Sequence, residues 1–169
     1  MRDYLVTHAT IHRRDMDLKY KHVEAALVDV VGVKPKAIGA FRGRLRHLRK
    51  LGLPQLQASG SGKHLIYTQR QALEMLVAIQ LEKLGHKPEG AVKLSLSIVR
   101  QSPFGQYESK DCYILPDPPS EDSDRYRMMF GANDVCEFLA FSPEVFTLVN
   151  ISALIRKLNV ALDRSLKLA

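Results

Sequence analysis

Between Asp29 and Glu74 the chain has no carboxylate. Nine Lys or Arg fall in that interval: Lys34, Lys36, Arg42, Arg44, Arg46, Arg49, Lys50, Lys63 and Arg70, with His47 and His64 among them. A surface shaped only for solubility mixes its signs, so the missing acids point to a polyanionic partner. Cysteine is scarce as well. Cys112 and Cys136 are the only two, and in a reducing compartment both are expected to be free thiols filling the core. No apolar run approaches the roughly 18 residues of a membrane span. The N-terminus lacks the uninterrupted apolar stretch of a signal peptide. A cytoplasmic, nucleoid-associated protein without membrane contact is therefore expected.

Catalytic and metal signatures are also missing. His8 and His12 stand at i,i+4 spacing, but no Cys, Glu or further His lies near enough in sequence to complete a metal set. Gly60, Gly62 and Lys63 suggest a phosphate loop, yet the first Gly of the Walker pattern is lacking and His64 takes the Ser/Thr place. No Ser/His/Asp, Cys/His or paired-carboxylate set stands on a recognisable scaffold. The expectation is a protein without enzyme activity, metal or cofactor.

What is present is a globular composition, 46% hydrophobic over 169 residues, enough for one sizeable core or two small modules. Charge is uneven along it. Residues 1–100 hold 18 basic and 8 acidic side chains, residues 101–169 hold 7 and 10. A basic binding module, 20–100, is expected after an arm at 1–19 and before a module of different task at 101–169.

The basic module reads as helices and a hairpin. Val23, Ala26, Leu27 and Val30 recur at helical steps over Lys19–Val31, and Gly32 closes that helix. Pro35 suits the first turn of a second helix. Helix, Gly-containing turn and helix form the skeleton of a helix-turn-helix unit. Over 36–51, Ile38, Phe41, Leu45, Leu48 and Leu51 fill one arc at 100° per residue, while Arg42, Arg46, Arg49 and Lys50 take the opposite flank with Gly39 and Gly43. Glycine inside a helix costs about 1 kcal/mol relative to Ala, so the pair is explicable if that flank approaches something closely. Gly52 and Pro54 stop the helix. Residues 55–67 then read as a hairpin with a Gly/Ser tip carrying Lys63 and His64. Thr68 and Gln71 form a capping box opening the helix Gln69–Leu84. Gly85 ends it, and Pro88 starts an element whose Val92, Leu94, Leu96 and Ile98 alternate like a strand while Ala91, Leu94 and Ile98 also fit a helix.

The string from Val23 to Leu94 resembles the DNA-binding domain of MerR-type winged helix-turn-helix regulators. The likeness rests on Leu45-Arg46-His47-Leu48-Arg49-Lys50-Leu51-Gly52-Leu53, on Leu65-Ile66-Tyr67-Thr68, and on Gln71 to Leu94 with Leu81, Leu84, Gly85 and Pro88. It covers less than half the chain. It implies a recognition helix over 36–51, a wing over 55–67 and a pair of helices after the wing, which favours helix at 88–100. Of the family's functional residues only Arg46 matches. Two departures mark the match: the distance from Gly32 to Leu45 is about two helical turns longer than usual, and His47 and Leu48 replace an aromatic pair.

In such a fold Arg can donate two hydrogen bonds to guanine in the major groove. Arg42 and Arg46 are the candidates for base contacts. Lys34, Lys36, Arg49 and Lys50 would neutralise phosphates, Lys63 and His64 would lie along the backbone or a minor groove, and Arg70 would extend that track.

In the last third, CYILP, RYRMMF and VCEFLAF read as short strands, the latter two joined by a turn at Gly131-Ala132-Asn133-Asp134. Tyr113, Tyr126, Phe130, Phe138 and Phe141 could line an effector pocket, though aromatics on strands are more often core. The final helix, Ile151–Leu168, has an apolar stripe of Ile151, Leu154, Ile155, Leu158 and Leu162. It either packs within its own chain or joins two copies, and a homodimer through it is expected, since a symmetric dimer reads two half-sites one DNA turn apart.

The expected fold is therefore α+β, mainly α: a winged helix-turn-helix module, a small antiparallel β element and a C-terminal amphipathic helix. The expected function is a sequence-specific double-stranded-DNA-binding transcriptional regulator, a repressor above all. The alternatives are a plasmid- or phage-type replication, recombination or architectural DNA-binding accessory protein, and an RNA-binding or adaptor module. RNA recognition normally shows exposed aromatics among the cations, and Phe41 and Tyr67 are both expected inside.

Overall fold

The computed structural model describes residues 18–54, 66–101, 111–117, 125–141 and 147–168. Six α-helices and five short strands are formed there, a mainly helical α+β arrangement. β1 (Leu18–Lys19) leads into α1 (Tyr20–Val31). A single 3-10 turn, Pro35–Ala37, precedes α2 (Ile38–Lys50). β2 (Ile66–Tyr67), α3 (Gln69–Lys83) and α4 (Pro88–Gln101) follow. β3 (Cys112–Pro116), β4 (Tyr126–Phe130), α5 (Gly131–Phe141), β5 (Val149–Asn150) and α6 (Ile151–Lys167) complete the order.

Local chemistry sets the helix ends. At Gly32, φ is +71°, and the Val33 N–H reaches back to the Val28 carbonyl at 3.0 Å. Gly52, at φ +89°, repeats the arrangement, with Leu53 N–H on the Leu48 carbonyl at 3.0 Å. In both places a left-handed glycine lets the chain close the last turn and satisfy orphan carbonyls. The capping box is formed as expected: Thr68 Oγ1 accepts from Gln71 N–H at 3.2 Å, and Gln71 Oε1 accepts from Thr68 N–H at 2.8 Å. Residues 88–101 are helical. With Ala91, Val92, Leu94, Ser95, Ile98 and Val99 buried, the helical period accounts for the apolar positions without a strand.

α3 lies at the centre, with every residue from Ala72 to Ile79 buried. α4 packs along it, α6 packs along α1 and also meets α3, and α1 touches α3 directly. One hydrophobic cluster runs from Leu18 through α1, α2, α3 and α4 to Ile114, Ile151 and Leu162. It does not divide near residue 100.

Three expectations need correction. The apolar stripe of α6 is used within the chain: Ile151, Leu158 and Leu162 are buried, and Leu154 and Ile155 are partly buried against the same cluster. α1 supplies most of the surface it covers, so Ile151, Leu158 and Leu162 are used within the chain, while Leu154 and Ile155 keep part of their surface. Gly131–Phe141 is a helix and not a turn followed by a strand. Val135, Phe138 and Leu139 have i, i+3, i+4 spacing, and the Asp134 carboxylate accepts from Phe130 N–H at 2.8 Å, satisfying a donor at the helix start. Cys112 is buried, but Cys136 is exposed on α5 and fills no core.

Strands tie the layers together. β1 pairs antiparallel with β2, Leu18 opposite Tyr67 and Lys19 opposite Ile66. The end of the N-terminal segment thus holds the strand that leads into α3. Residues 55–65, including the expected hairpin tip, lie outside the described residues, as do His8 and His12. In the second sheet, order β4-β3-β5, all pairings are antiparallel. Ser152 Oγ accepts from Cys112 N–H at 2.9 Å, fastening that sheet to α6.

Two buried histidines link the fold to pH. His22 Nδ1 accepts from Lys19 N–H at 3.3 Å, so the proton of the neutral ring sits on Nε2. Burial, helped by the charges of Lys21 and Lys19, holds His22 below the ordinary 6.5. Burial alone does the same for His86. The unfolded chain takes up protons first, so the stability tied to both groups is complete above 6.5 and is lost as pH falls through 6.5 towards the lowered folded values. Thermal melts should show a lower Tm at about pH 5.5 than at about pH 7.5, with a smaller drop in His22→Gln. Leu162→Ala should cost about 2–5 kcal/mol in denaturant titration, in a single transition reported alike by probes in α2 and α6. Two separate transitions would show that the cluster is not one cooperative core.

Candidate nucleic-acid interface

α2 buries Phe41, Leu45 and Leu48 and turns the rest of its surface outward. At 100° per residue, Gly39, Gly43, Arg46 and Lys50 lie opposite those three, with Arg42 and Arg49 on one shoulder and His47 on the other. A Cβ placed on Gly39 or Gly43 would meet nothing within 4 Å. Neither glycine has a positive φ. Nothing among the described residues therefore requires glycine at either position, and both remain in α2 at a cost of about 1 kcal/mol each relative to Ala.

The structure sorts the cations of this run by partner. Arg46 and Lys50 are exposed with no carboxylate partner among the described residues, as are Lys34 and Lys36 just before the helix. Arg42 is different. Its Nε donates to Glu24 Oε1 of α1 at 2.6 Å, while 58% of the side chain stays exposed. Glu24 neutralises part of its charge and fixes its position through Nε. Arg49 is half-buried with its guanidinium 5.1 Å from the Tyr20 ring centroid, a cation–π contact. Burial raises the Tyr20 pKa above 10.0, with the Glu24 charge adding to it. Arg46, Arg49 and Lys50 line a shallow cleft floored by Leu53 and Pro54. Among the described residues no carboxylate lines it.

Two basic residues serve the scaffold. Arg44 donates through Nε to Glu82 and through Nη2 to the Ile79 carbonyl at 3.1 Å, clamping α2 to α3. Arg70 donates through Nη2 to the Val99 carbonyl at 3.1 Å, which ties the start of α3 to the end of α4. Arg70 nevertheless stays exposed. Lys63 and His64 lie outside the described residues.

Sequence reasoning missed Glu24 and Tyr20, which hold Arg42 and Arg49. Only their positions on a neighbouring helix reveal these roles, since neither stands inside the basic run. Four of the five aromatics considered for an effector are engaged elsewhere or exposed. Tyr126 shares a 3.3 Å hydrogen bond with Ser97, Phe138 lies beneath Arg127, and Phe130 and Phe141 are exposed. Among the described residues no group of three or more His, Cys, Asp or Glu is placed to hold a metal, and no helix is long and apolar enough to cross a membrane. No protein-family model matches the chain, and no curated protein matches it.

The clamp and the open face should separate in stability measurements. Arg44→Met should lower unfolding free energy by about 1.5–3 kcal/mol, because Glu82 loses a charge-assisted partner. Arg46→Ala and Lys50→Ala should stay within about 0.5 kcal/mol of the parent. A large loss for either would mean that α2 needs those cations for folding.

Proposed function

We propose that the chain is a sequence-specific double-stranded-DNA-binding transcriptional regulator of winged helix-turn-helix type, acting as a repressor by occupying its site. α1, the Gly32 turn and α2 are its helix-turn-helix. The outward face of α2 enters the major groove, and the wing is the one expected over 55–67, of which residues 55–65 lie outside the described residues. The observation that carries this reading is the composition of that face: Gly39 and Gly43, where an added Cβ meets nothing among the described residues, beside Arg46 and Lys50, with no carboxylate partner among them.

The chemistry follows from those positions. The major groove is about 12 Å wide and admits an α-helix. Two glycines lower the height of the helix surface where it enters. Arg46, on the same face, has a planar guanidinium that can bond guanine O6 and N7 together. Lys34, Lys36, Arg49 and Lys50 surround it and meet phosphates, which sets register without reading sequence. Arg42, held by Glu24, takes a position at the groove edge. Single-stranded RNA is disfavoured because its recognition uses exposed aromatic platforms, and Phe41 and Tyr67 are buried in the core.

Binding should fall steeply with salt. If the five cations Lys34, Lys36, Arg46, Arg49 and Lys50 each neutralise one phosphate, affinity drops by about 10²–10³ between about 50 and 200 mM salt. Arg46→Ala should weaken selected duplexes more than random ones, whereas Lys50→Ala should weaken both and reduce the salt slope by about 1. Gly39→Ala and Gly43→Ala give the sharpest test. Each should raise stability by about 1 kcal/mol yet reduce duplex affinity about tenfold or more. If both variants bind as tightly as the parent, the close approach of α2 is excluded. Footprinting on duplexes selected from a random pool should show one bounded site; extended coating would favour an architectural role.

A further inference from the structure

α1 and α2 meet through two pairs of side chains. Tyr20 and Glu24 are one turn apart on α1 and share a face. Arg42 and Arg49 are close to two full turns apart on α2 and share a shoulder. Tyr20 meets Arg49 and Glu24 meets Arg42, so the helices run in opposing senses along this contact. Tyr20 is itself set by the core. Its ring lies 6.0 Å from that of Tyr67, which is fully buried.

The two contacts treat charge differently. The Tyr20 ring orients the Arg49 guanidinium through its quadrupole and leaves the positive charge uncancelled. Glu24 brings a full negative charge, and its Oε1 accepts from Arg42 Nε at 2.6 Å. The Glu24 side chain is 16% exposed against 58% for Arg42, so the carboxylate sits behind the arginine, on the scaffold side. A guanidinium has five N–H donors in a rigid planar fork. With Nε turned to Glu24, Nη1 and Nη2 of Arg42 have no acceptor among the described residues. Of the cations that α2 turns outward, Arg42, Arg46, Arg49 and Lys50, only Arg42 has a carboxylate partner among the described residues.

That difference matters against a polyanion. A cation with its charge intact finds a phosphate beside any sequence, and so adds affinity without adding preference. A guanidinium whose charge is cancelled gains little from a phosphate. Its fixed donors still bond acceptors placed to suit them, and guanine O6 and N7 form such a pair. A base without those acceptors leaves the donors unpaired, at a cost in binding.

We propose that Glu24 is a positioning residue that makes Arg42 a specificity-determining contact. It holds the Nη groups ready for a base at the margin of the site and removes Arg42 from the set of cations that bind phosphate. Arg49, held by a ring instead, keeps its full charge for the backbone. Both roles rest on duplex binding by the α2 face, the function proposed for it.

The test compares the full chain on a duplex selected from a random pool and on a random-sequence duplex, between about 50 and 200 mM salt. Glu24→Gln keeps an acceptor for Nε and drops the charge. It should bind the random duplex more tightly at low salt, steepen the slope of log affinity against log salt by about 0.9, and lose preference for the selected duplex. Arg42→Ala in the parent should reduce that preference about 5- to 150-fold at constant slope. In the Glu24→Gln background the same substitution should lower the slope by about 0.9, as Arg49→Ala does in the parent. A Glu24 that serves folding alone would weaken both duplexes without steepening the slope, and that result overturns its role. So does an equal fall in slope for Arg42→Ala and Arg49→Ala in the parent. Either leaves duplex binding in place, whereas a parent that binds neither duplex overturns the proposed function and this role together. Should Glu24→Gln fail to fold, Arg42→Ala decides: preference lost at constant slope supports the role, and a lower slope overturns it.

Discussion

From Ala72 to Ile79 every residue of α3 is buried, and the placement of the other elements follows from covering it. Apart from Glu74 that stretch is apolar on every side, and such a helix cannot lie at a surface. Each exposed turn would leave aliphatic area in water at about 25 cal/mol per Å². α4 covers one side, α1 and α6 another, and α2 is drawn in through Phe41, Leu45 and Leu48. Arg44 then fixes the rotation of α2 by reaching Glu82 and the Ile79 carbonyl of α3. With that rotation set, Gly39, Gly43, Arg46 and Lys50 can only point outward. The candidate interface is thus a consequence of how α3 is buried.

The same packing divides a one-sign run of charge into different roles. The carboxylates absent between Asp29 and Glu74 are supplied from outside that interval: Glu24 from α1 takes Arg42, and Glu82 from the far end of α3 takes Arg44. Tyr20 supports Arg49 through its ring. Cations that find partners become struts or fixed shoulders. Those that do not remain as a concentrated positive surface, whose field in a shallow cleft attracts anions.

Much of the fold was legible because the signals were local. Gly32, Gly52 and Gly85 each end a helix with a left-handed residue, and Thr68 with Gln71 opens one. Strands at Cys112–Pro116 and Tyr126–Phe130 follow from alternation and β-forming residues. Gly131–Phe141 misled because its start resembles a turn and its apolar residues suit either period. The Asp134 contact to the Phe130 N–H and the sheet beneath it resolve the ambiguity towards helix.

The sequence by itself determined where the helices stop, that α2 has one apolar and one basic side, that α6 must bury a stripe, and that the acids are missing from one interval. These are properties of residue type and short-range spacing. Only the tertiary structure decided which cations are spent on the scaffold, that Gly39 and Gly43 face open space, and that α6 buries much of its stripe on α1. Those outcomes depend on pairs such as Arg44 with Glu82 and Arg42 with Glu24, 38 and 18 residues apart. No periodicity within a single helix encodes which distant side chain packing will bring to meet it.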